Sequence, residues 1–251
     1  MKVIKKELIS HDVYLIELEF PNSEWIAGLP AGAHYIFHAN IDGKTISRKY
    51  TPISPVNKKG SAEFVIKIYR DHPDFPEGGK FTKNLEANVN IGDSITCEGP
   101  VGMIKYLGFG KFQFMKNMLE HTKTKIGLVA GGSGITPMYS IAQASALAND
   151  GVKVTFLYTN KSKNDILCRD QLDQLAKHEN VKVFHTLTRH QEADGEWDGL
   201  TGRVSLQMLK QCGFPEPADD VYIAFCGPNQ MYGTMKEILV EGGYVSGKHY
   251  P

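Results

Sequence analysis

Paired cysteines are missing from this chain of 251 residues. Its four cysteines, Cys97, Cys168, Cys212 and Cys226, lie 71, 44 and 14 residues apart, and no Cys-x-x-Cys occurs. That excludes a zinc ribbon and the close thiolate cluster of a plant-type iron–sulfur centre, and a disulfide scaffold is not expected at this size. The nine histidines show no His-Glu-x-x-His spacing, so no metal site is expected. Ser10, Ser47 and Ser205 lack a Gly-x-Ser-x-Gly context for a nucleophile. An excess of one charge is missing too: 28 Lys plus Arg balance 28 Asp plus Glu. A neutral chain has no global field for nucleic acid or an anionic membrane. The apolar fraction, 41 %, suffices for cores but not for a membrane protein. Met1-Lys2-Val3-Ile4-Lys5-Lys6-Glu7 has neither the apolar stretch of a signal peptide nor Gly after Met1 for myristoylation. A cytoplasmic location with no intrinsic anchor is the simplest expectation.

What is present falls into two rhythms. The first is short strands. Val13 to Phe20 is β-rich and ends at Pro21-Asn22-Ser23. His34 to Phe37 and Thr45 to Thr51 flank Asp42-Gly43, a strong hairpin signal. Phe64 to Tyr69 and Ser94 to Glu98 are further strands, and a short helix is expected from Gly79 to Glu86. Many short strands with Gly, Pro and Asn turns predict a small antiparallel β-barrel over residues 1–120. Over residues 121–251 strands alternate with helices. Ile126 to Ala130, Val152 to Tyr158, Val181 to Leu187 and Val221 to Cys226 read as strands. Met138, Ile141, Ala142 and Ser145 have helical spacing, and Leu167 to Ala176 and Asn229 to Val240 read as helices. This alternation predicts βαβ units on a parallel sheet. Met103 to Lys125 reads as the crossing between the two domains.

Three motifs carry chemistry. Gly131-Gly132-Ser133-Gly134-Ile135-Thr136-Pro137 follows a strand and opens a helix. Glycines admit close backbone approach, and a helix N-terminus offers free N–H groups to phosphate. The motif departs from Gly-x-Gly-x-x-Gly, with Pro137 where the third glycine would fall, so a plain tight turn stays open beside dinucleotide binding. Pro137 suits the first helical position. Arg48-Lys49-Tyr50-Thr51 ends a strand: Arg48 can grip a phosphate with two N–H groups, or it can be an ordinary surface arginine. Glu77-Gly78-Gly79-Lys80-Phe81-Thr82 is either a helix cap or another anion site. Three phosphate-grade sites in one chain are harder to explain as turns.

Arg48 to Ser54, Val65 to Tyr69, Gly78 to Thr82, Gly131 to Pro137 and Cys226-Gly227-Pro228 together resemble, in order, the signature of the NADH–cytochrome b5 reductase family. The likeness spans nearly the whole chain. It implies FAD in the barrel half and NADH or NADPH in the other. By that resemblance Arg48, with Lys49 beside it, contacts the FAD pyrophosphate. Tyr50 and Thr51 contact the ribityl chain and flavin, and Val65, Lys67 and Tyr69 line the ring. Gly79, Lys80, Phe81 and Thr82 hold the phosphates. Phe75 matches a residue near the adenine, favouring FAD over FMN. Thr136 reaches the flavin. Gly132, Ser133, Cys226, Gly227, Pro228 and Met231 bind the nicotinamide nucleotide, with Cys226 beside the nicotinamide. Thr51, Thr136 and Cys226 are then the residues nearest the reaction. The implied activity is hydride transfer to FAD and release of single electrons to an acceptor such as cytochrome b5. No general acid–base pair is required for the hydride step.

The sequence also departs from the family. Thr82 replaces the usual Ser, Asn229 replaces the second Pro of Cys-Gly-Pro-Pro, and the chain closes on Lys248-His249-Tyr250-Pro251 in place of an aromatic tail. After the third α/β strand, Thr188-Arg189 stands where NADH users carry Asp-Arg. Loss of the carboxylate opens dual use or NADPH preference; a Thr188 bond to the ribose hydroxyl would keep NADH. Lys105, Lys111, Lys116, Lys123 and Lys125 form a basic stretch, either a solvated face or a guide for an acidic redox partner. Two rival functions remain: the reductase component of a nitrate reductase or oxygenase, and a non-enzymatic nucleotide-binding module.

Overall fold

The structure is a computed structural model. It describes residues 1–73, 76–102, 104–114 and 120–251. They form two compact units, Met1–Met103 and Ile104–Pro251. Phe75 and Lys116 lie outside the described residues.

The first unit contains β1 (Lys2–Ser10), β2 (Val13–Glu19), β3 (His34–Ile41), β4 (Lys44–Tyr50), β5 (Ser61–Lys67), α1 (Lys80–Asn88) and β6 (Thr96–Val101). Its strands make two antiparallel three-stranded sheets, β1-β2-β5 and β4-β3-β6. Asp42 and Gly43 both take positive φ, 53° and 72°, as a two-residue hairpin turn demands. Alternate residues of the sheets meet in one core: Ile16, Leu18, Phe64 and Ile66 from one, Tyr35 and Phe37 from the other, closed by Phe81 and Leu85 of α1. Strand β1 has no alternating pattern to announce it, because it is an edge strand that buries only Val3. Its Lys6 ammonium donates to the carbonyls of Leu85, Glu86 and Val89 at 2.9, 2.7 and 2.6 Å, satisfying the orphan C-terminus of α1. Strand β6 runs on through Gly99-Pro100, where the sequence suggested a stop.

The second unit starts with a small antiparallel sheet of β7 (Ile104–Tyr106), β8 (Lys111–Phe114) and β9 (Glu120–Thr122). This segment is therefore more than a crossing, and the compact units divide after Met103 whereas the sequence placed the change after residue 120. Aromatic contacts explain its allegiance. The Tyr106 ring lies 5.0 Å from Phe112, which lies 5.0 Å from Tyr222, and the Tyr106 hydroxyl donates to Asp150. Lys123 does not join a solvated face: it is buried, and its ammonium donates to the Asp219 and Lys248 carbonyls. Lys125 is paired with Asp220.

The rest is β10 (Lys125–Gly131), α2 (Ile135–Ala148), β11 (Lys153–Asn160), α3 (Arg169–Leu175), β12 (Val181–Leu187), β13 (Leu200–Thr201), α4 (Leu206–Gln211), β14 (Val221–Cys226) and α5 (Asn229–Glu241). The strands form one parallel sheet in the order β13-β12-β11-β10-β14. Central β10 is buried at every residue after Lys125, which is why it reads as a continuous apolar run. The chain winds one way from β10 through β11 and β12, then returns to place β14 on the other side. Ligands of such sheets bind at that reversal, outside the carboxyl ends of the strands. Helix α2 begins at Ile135, so Pro137 is its third residue and not its first; its missing N–H is still one of the unpaired ones. Helix α3 begins after Cys168, which takes a left-handed φ of 54°.

Phe37→Ala should destabilise the first unit by about 3–5 kcal/mol in chemical unfolding, because the fully buried ring contacts both Phe64 and Tyr50. Leu147→Ala, at a side chain exposed on α2, should change stability by under about 0.5 kcal/mol. Equal effects would contradict the placement of the core.

Candidate functional site

In the first unit the expected residues gather around the start of α1 and the ends of β4 and β5. An aromatic chain leads there from the core: Phe64 to Phe37 at 4.9 Å, Phe37 to Tyr50 at 4.9 Å, Tyr50 to Phe81 at 5.8 Å. Burial holds the Tyr50 hydroxyl protonated well above its ordinary range, with the nearby Arg48 charge opposing the shift and Tyr69 adding to it. Arg48 and Lys49 are exposed, and Thr51 is buried. Arg48 spends one N–H on the Ser47 carbonyl at 2.8 Å, which leaves the rest of its fork uncommitted among the described residues. Val65 is buried, whereas the Lys67 ammonium is held by Asp12 at 3.0 Å.

The turn into α1 is pinned by three hydrogen bonds. Gly79 N–H donates to the Tyr69 carbonyl at 2.7 Å, Thr82 Oγ1 accepts from Tyr69 N–H at 3.2 Å, and it donates to the Gly79 carbonyl at 3.1 Å. Thr82 thus fixes the turn, and its proton is already committed. A Cβ on Gly79 would stand 2.5 Å from Thr82 Oγ1, so only glycine allows this closure. Lys80 is exposed at the first helical position.

In the second unit the turn after β10 rests on the turn after β14. A Cβ on Gly131 would meet Met231 Sδ at 2.8 Å, one on Gly227 would meet the same atom at 2.5 Å, and one on Gly134 would collide with the Cys226 carbonyl. Gly134 lets backbone pack on backbone, and Gly131 and Gly227 make room for the Met231 side chain. Gly132 is different: φ is +52° and a Cβ there would meet nothing within 4 Å. Its carbonyl is held by the Tyr158 hydroxyl at 2.9 Å, which in turn accepts from Leu167 N–H at 3.3 Å. Tyr158 positions the loop, and nothing in its sequence context marks it. Ser133 is exposed; Thr136 is buried in the first turn of α2. Pro228 is exposed and Gly227 and Met231 half-buried.

Burial raises the Cys226 thiol above its ordinary pKa, and the Tyr232 hydroxyl donates to Sγ at 3.8 Å. At neutral pH Cys226 is a soft neutral thiol, not a thiolate nucleophile. Farther along the same edge, Thr188 donates its N–H and its hydroxyl to the Asn160 carbonyl at 2.8 and 3.2 Å. Asn160 itself is buried at the carboxyl end of β11 with neither amide atom in a full hydrogen bond; the Tyr158 hydroxyl lies within weak hydrogen-bonding reach of it.

Helices α1, α2 and α5 begin without a side-chain cap and without an acidic residue in the first turn. Ser205 accepts from Met208 N–H at the start of α4, Ser162 and Asp165 close a capping box, and α3, uncapped at Cys168, carries Asp170 in its first turn. Uncapped helix starts leave N–H groups and a positive dipole end for an anion. With the open cradle at Gly132 and the under-bonded amide at Asn160, the residues present fit phosphate-bearing cofactors in each unit.

Comparison with known proteins defines the class: an oxidoreductase with a FAD-binding domain followed by an NAD-binding domain. The oxidoreductase FAD-binding domain family matches residues 1–106, and the oxidoreductase NAD-binding domain family matches residues 128–237. NADH-cytochrome b5 reductase 3 of Rattus norvegicus is 37 % identical over 240 residues, covering 92 % of this chain and 78 % of that one. An NADH nitrate reductase of Hordeum vulgare is 37 % identical over 237 residues, covering 92 % of this chain and 26 % of that one. The cytochrome b5 reductase domain of Ulva prolifera nitrate reductase superposes with a TM-score of 0.91 at 32 % identity, covering 99 % and 94 % of the two chains. The chain belongs to the NADH–cytochrome b5 reductase family. Among the described residues no helix is long and apolar enough to cross a membrane, and no cluster of metal-ligating side chains occurs.

Gly132→Ala should weaken nicotinamide-nucleotide binding while lowering stability by only about 1 kcal/mol, the cost of a left-handed Ala. Gly134→Ala should lower both, stability by at least about 2 kcal/mol, since its Cβ enters backbone. Nucleotide titration and chemical unfolding of the two variants check this; equal stability losses would contradict the division of roles. The rate of Cys226 alkylation against pH, read by peptide mass spectrometry, should have its midpoint above the usual thiol value of about 8.5. A midpoint below that value would contradict the burial of the thiol.

Proposed function

We propose that this protein oxidises a reduced nicotinamide nucleotide through FAD and passes the electrons singly to a cytochrome b5-type acceptor. The observation that carries the reading is the pair of phosphate-ready turns, Gly79 into α1 and Gly132 into α2, each beside groups suited to the rest of its cofactor. Bound FAD supplies a centre that takes two electrons together and returns them one at a time.

The chain's own work is placement. The uncommitted fork of Arg48 and the N–H groups opening α1 bind the pyrophosphate of FAD. Tyr50, wedged against Phe37 and Phe81, offers a fixed flat surface, and its raised pKa keeps the hydroxyl a donor. Gly132 and the start of α2 bind the nucleotide pyrophosphate. Cys226, neutral and half-buried, packs against the nicotinamide without competing for its hydride. Asn160 satisfies its buried amide on the nucleotide.

A second reading has an observation of its own: the NADH nitrate reductase of Hordeum vulgare is as similar as the reductase of Rattus norvegicus, and the chain matches a quarter of its length. In that reading the same two units feed electrons to a larger assembly.

Purified protein should be yellow, lose its flavin absorption when NADH is added without air, and then reduce ferricytochrome b5. A folded, colourless protein that rejects added FAD would overturn both readings. Arg48→Ala should lower FAD retention after gel filtration by tenfold or more, as for loss of a charge-assisted contact worth about 1.5–3 kcal/mol. The fraction still holding FAD should be reduced at close to the parent rate. An unchanged flavin content would remove Arg48 from the site.

A further inference from the structure

The first hairpin of the second unit holds an aromatic ring out in water. Strands β7 and β8 pair Tyr106 with Phe112 and Lys105 with Gln113. Side chains alternate along a strand, and Tyr106 and Phe112 take the buried face. Lys105, Leu107, Lys111 and Gln113 share the other, where Leu107 N–H donates to the Lys111 carbonyl at 2.9 Å. Phe109 stands at the tip, 68 % exposed, with a left-handed φ of 51°. A bulky residue rarely takes that conformation, and glycine takes it without strain. The tip is nevertheless fixed. Asp150 accepts from Phe109 N–H at 2.7 Å and from the Tyr106 hydroxyl at 3.0 Å, and that hydroxyl accepts from Gly110 N–H at 3.2 Å. A Cβ on Gly110 would collide with the Lys123 carbonyl.

The charge near this tip has one sign. Residues 104–125 contain five lysines against one carboxylate, Glu120, in a chain of zero net charge. Lys123 and Lys125 are engaged by carbonyls and by Asp220. Lys105 and Lys111, with Lys153 at the start of β11, form no ion pair among the described residues. The Asp150 carboxylate is spent on the hairpin itself. Asp150 precedes β11, so the tip sits by the amino edge of the parallel sheet, opposite to the Gly132 turn.

We infer that this tip docks on an anionic phospholipid surface, with Phe109 and Leu107 entering the interfacial layer and Lys105, Lys111 and Lys153 facing the headgroups. An apolar ring gains by leaving water for that layer, and lysines beside it are drawn by the negative surface potential. An acidic protein would also attract the lysines. A single protruding ring on a rigid tip suits a fluid layer better, because lipid needs no matching pocket. Two apolar side chains and three charges make a weak, reversible contact and not an anchor. The inference stands apart from the cofactor reading.

The test sediments the purified full chain with phosphatidylcholine vesicles, with and without about 30 % phosphatidylserine. The expected result is at least about tenfold greater partitioning onto the phosphatidylserine vesicles, lost at high salt. Phe109→Gly should lower that partitioning by about tenfold, and it should not lower resistance to chemical unfolding, since glycine accepts the left-handed φ. Lys111→Gln with Lys153→Gln should remove the preference for phosphatidylserine. No partitioning of the parent, or equal partitioning of the parent and Phe109→Gly, would overturn the inference. A dimer of the parent that Phe109→Gly abolishes, with no vesicle binding, would overturn it in favour of a second copy of the chain.

Discussion

Backbone touches backbone where the turn after β10 meets the turn after β14. A Cβ on Gly134 would run into the Cys226 backbone, and one on Gly131 or Gly227 into the Met231 side chain that packs over both turns. That contact brings a helix start and a strand end to one point of the sheet edge. Of the glycines in these two turns, it also leaves Gly132 facing open space with a left-handed φ. The open turn proposed to cradle the nucleotide is therefore a by-product of packing. Tyr158 then locks that turn by holding its carbonyl, from a strand two residues short of the under-bonded Asn160.

The first unit solves the same problem with side chains. Its turn into α1 is closed by the Tyr69, Gly79 and Thr82 hydrogen bonds, and Lys6 satisfies the far end of the helix. With both ends of α1 fixed, its uncapped N-terminus points a constant dipole at whatever binds there. Tyr50 is braced from the core by Phe37 and Phe64, so a ligand resting on it meets a surface that needs no reorganisation.

Elements with a strict period were legible in the sequence. Strands β12 and β14 match their expected spans, β14 because both its faces are buried, and Asp42-Gly43 forms the hairpin turn its residue types announce. Strand β1 was not legible, since an edge strand that buries one residue has no pattern to show. The β7–β9 sheet was hidden for a different reason: its place depends on Tyr106, Phe112 and Tyr222, which are distant in sequence. At the site, glycine motifs showed where backbone comes close, but not to what. Three of those glycines have protein atoms where a Cβ would stand and Gly132 has none, a difference that only three-dimensional neighbours reveal. Tyr158 carried no signal of its role, because a buried tyrosine is ordinary until its hydrogen bonds are counted.

The central claim is that Gly132 and the first turn of α2 hold the pyrophosphate of a nicotinamide nucleotide. A crystal structure of the protein with an oxidised nicotinamide nucleotide bound tests it most directly. The account predicts phosphate density against the Gly132 backbone, with the Asn160 amide bonded to the nucleotide. A nucleotide bound elsewhere, with that turn closed by the protein's own atoms, would contradict it.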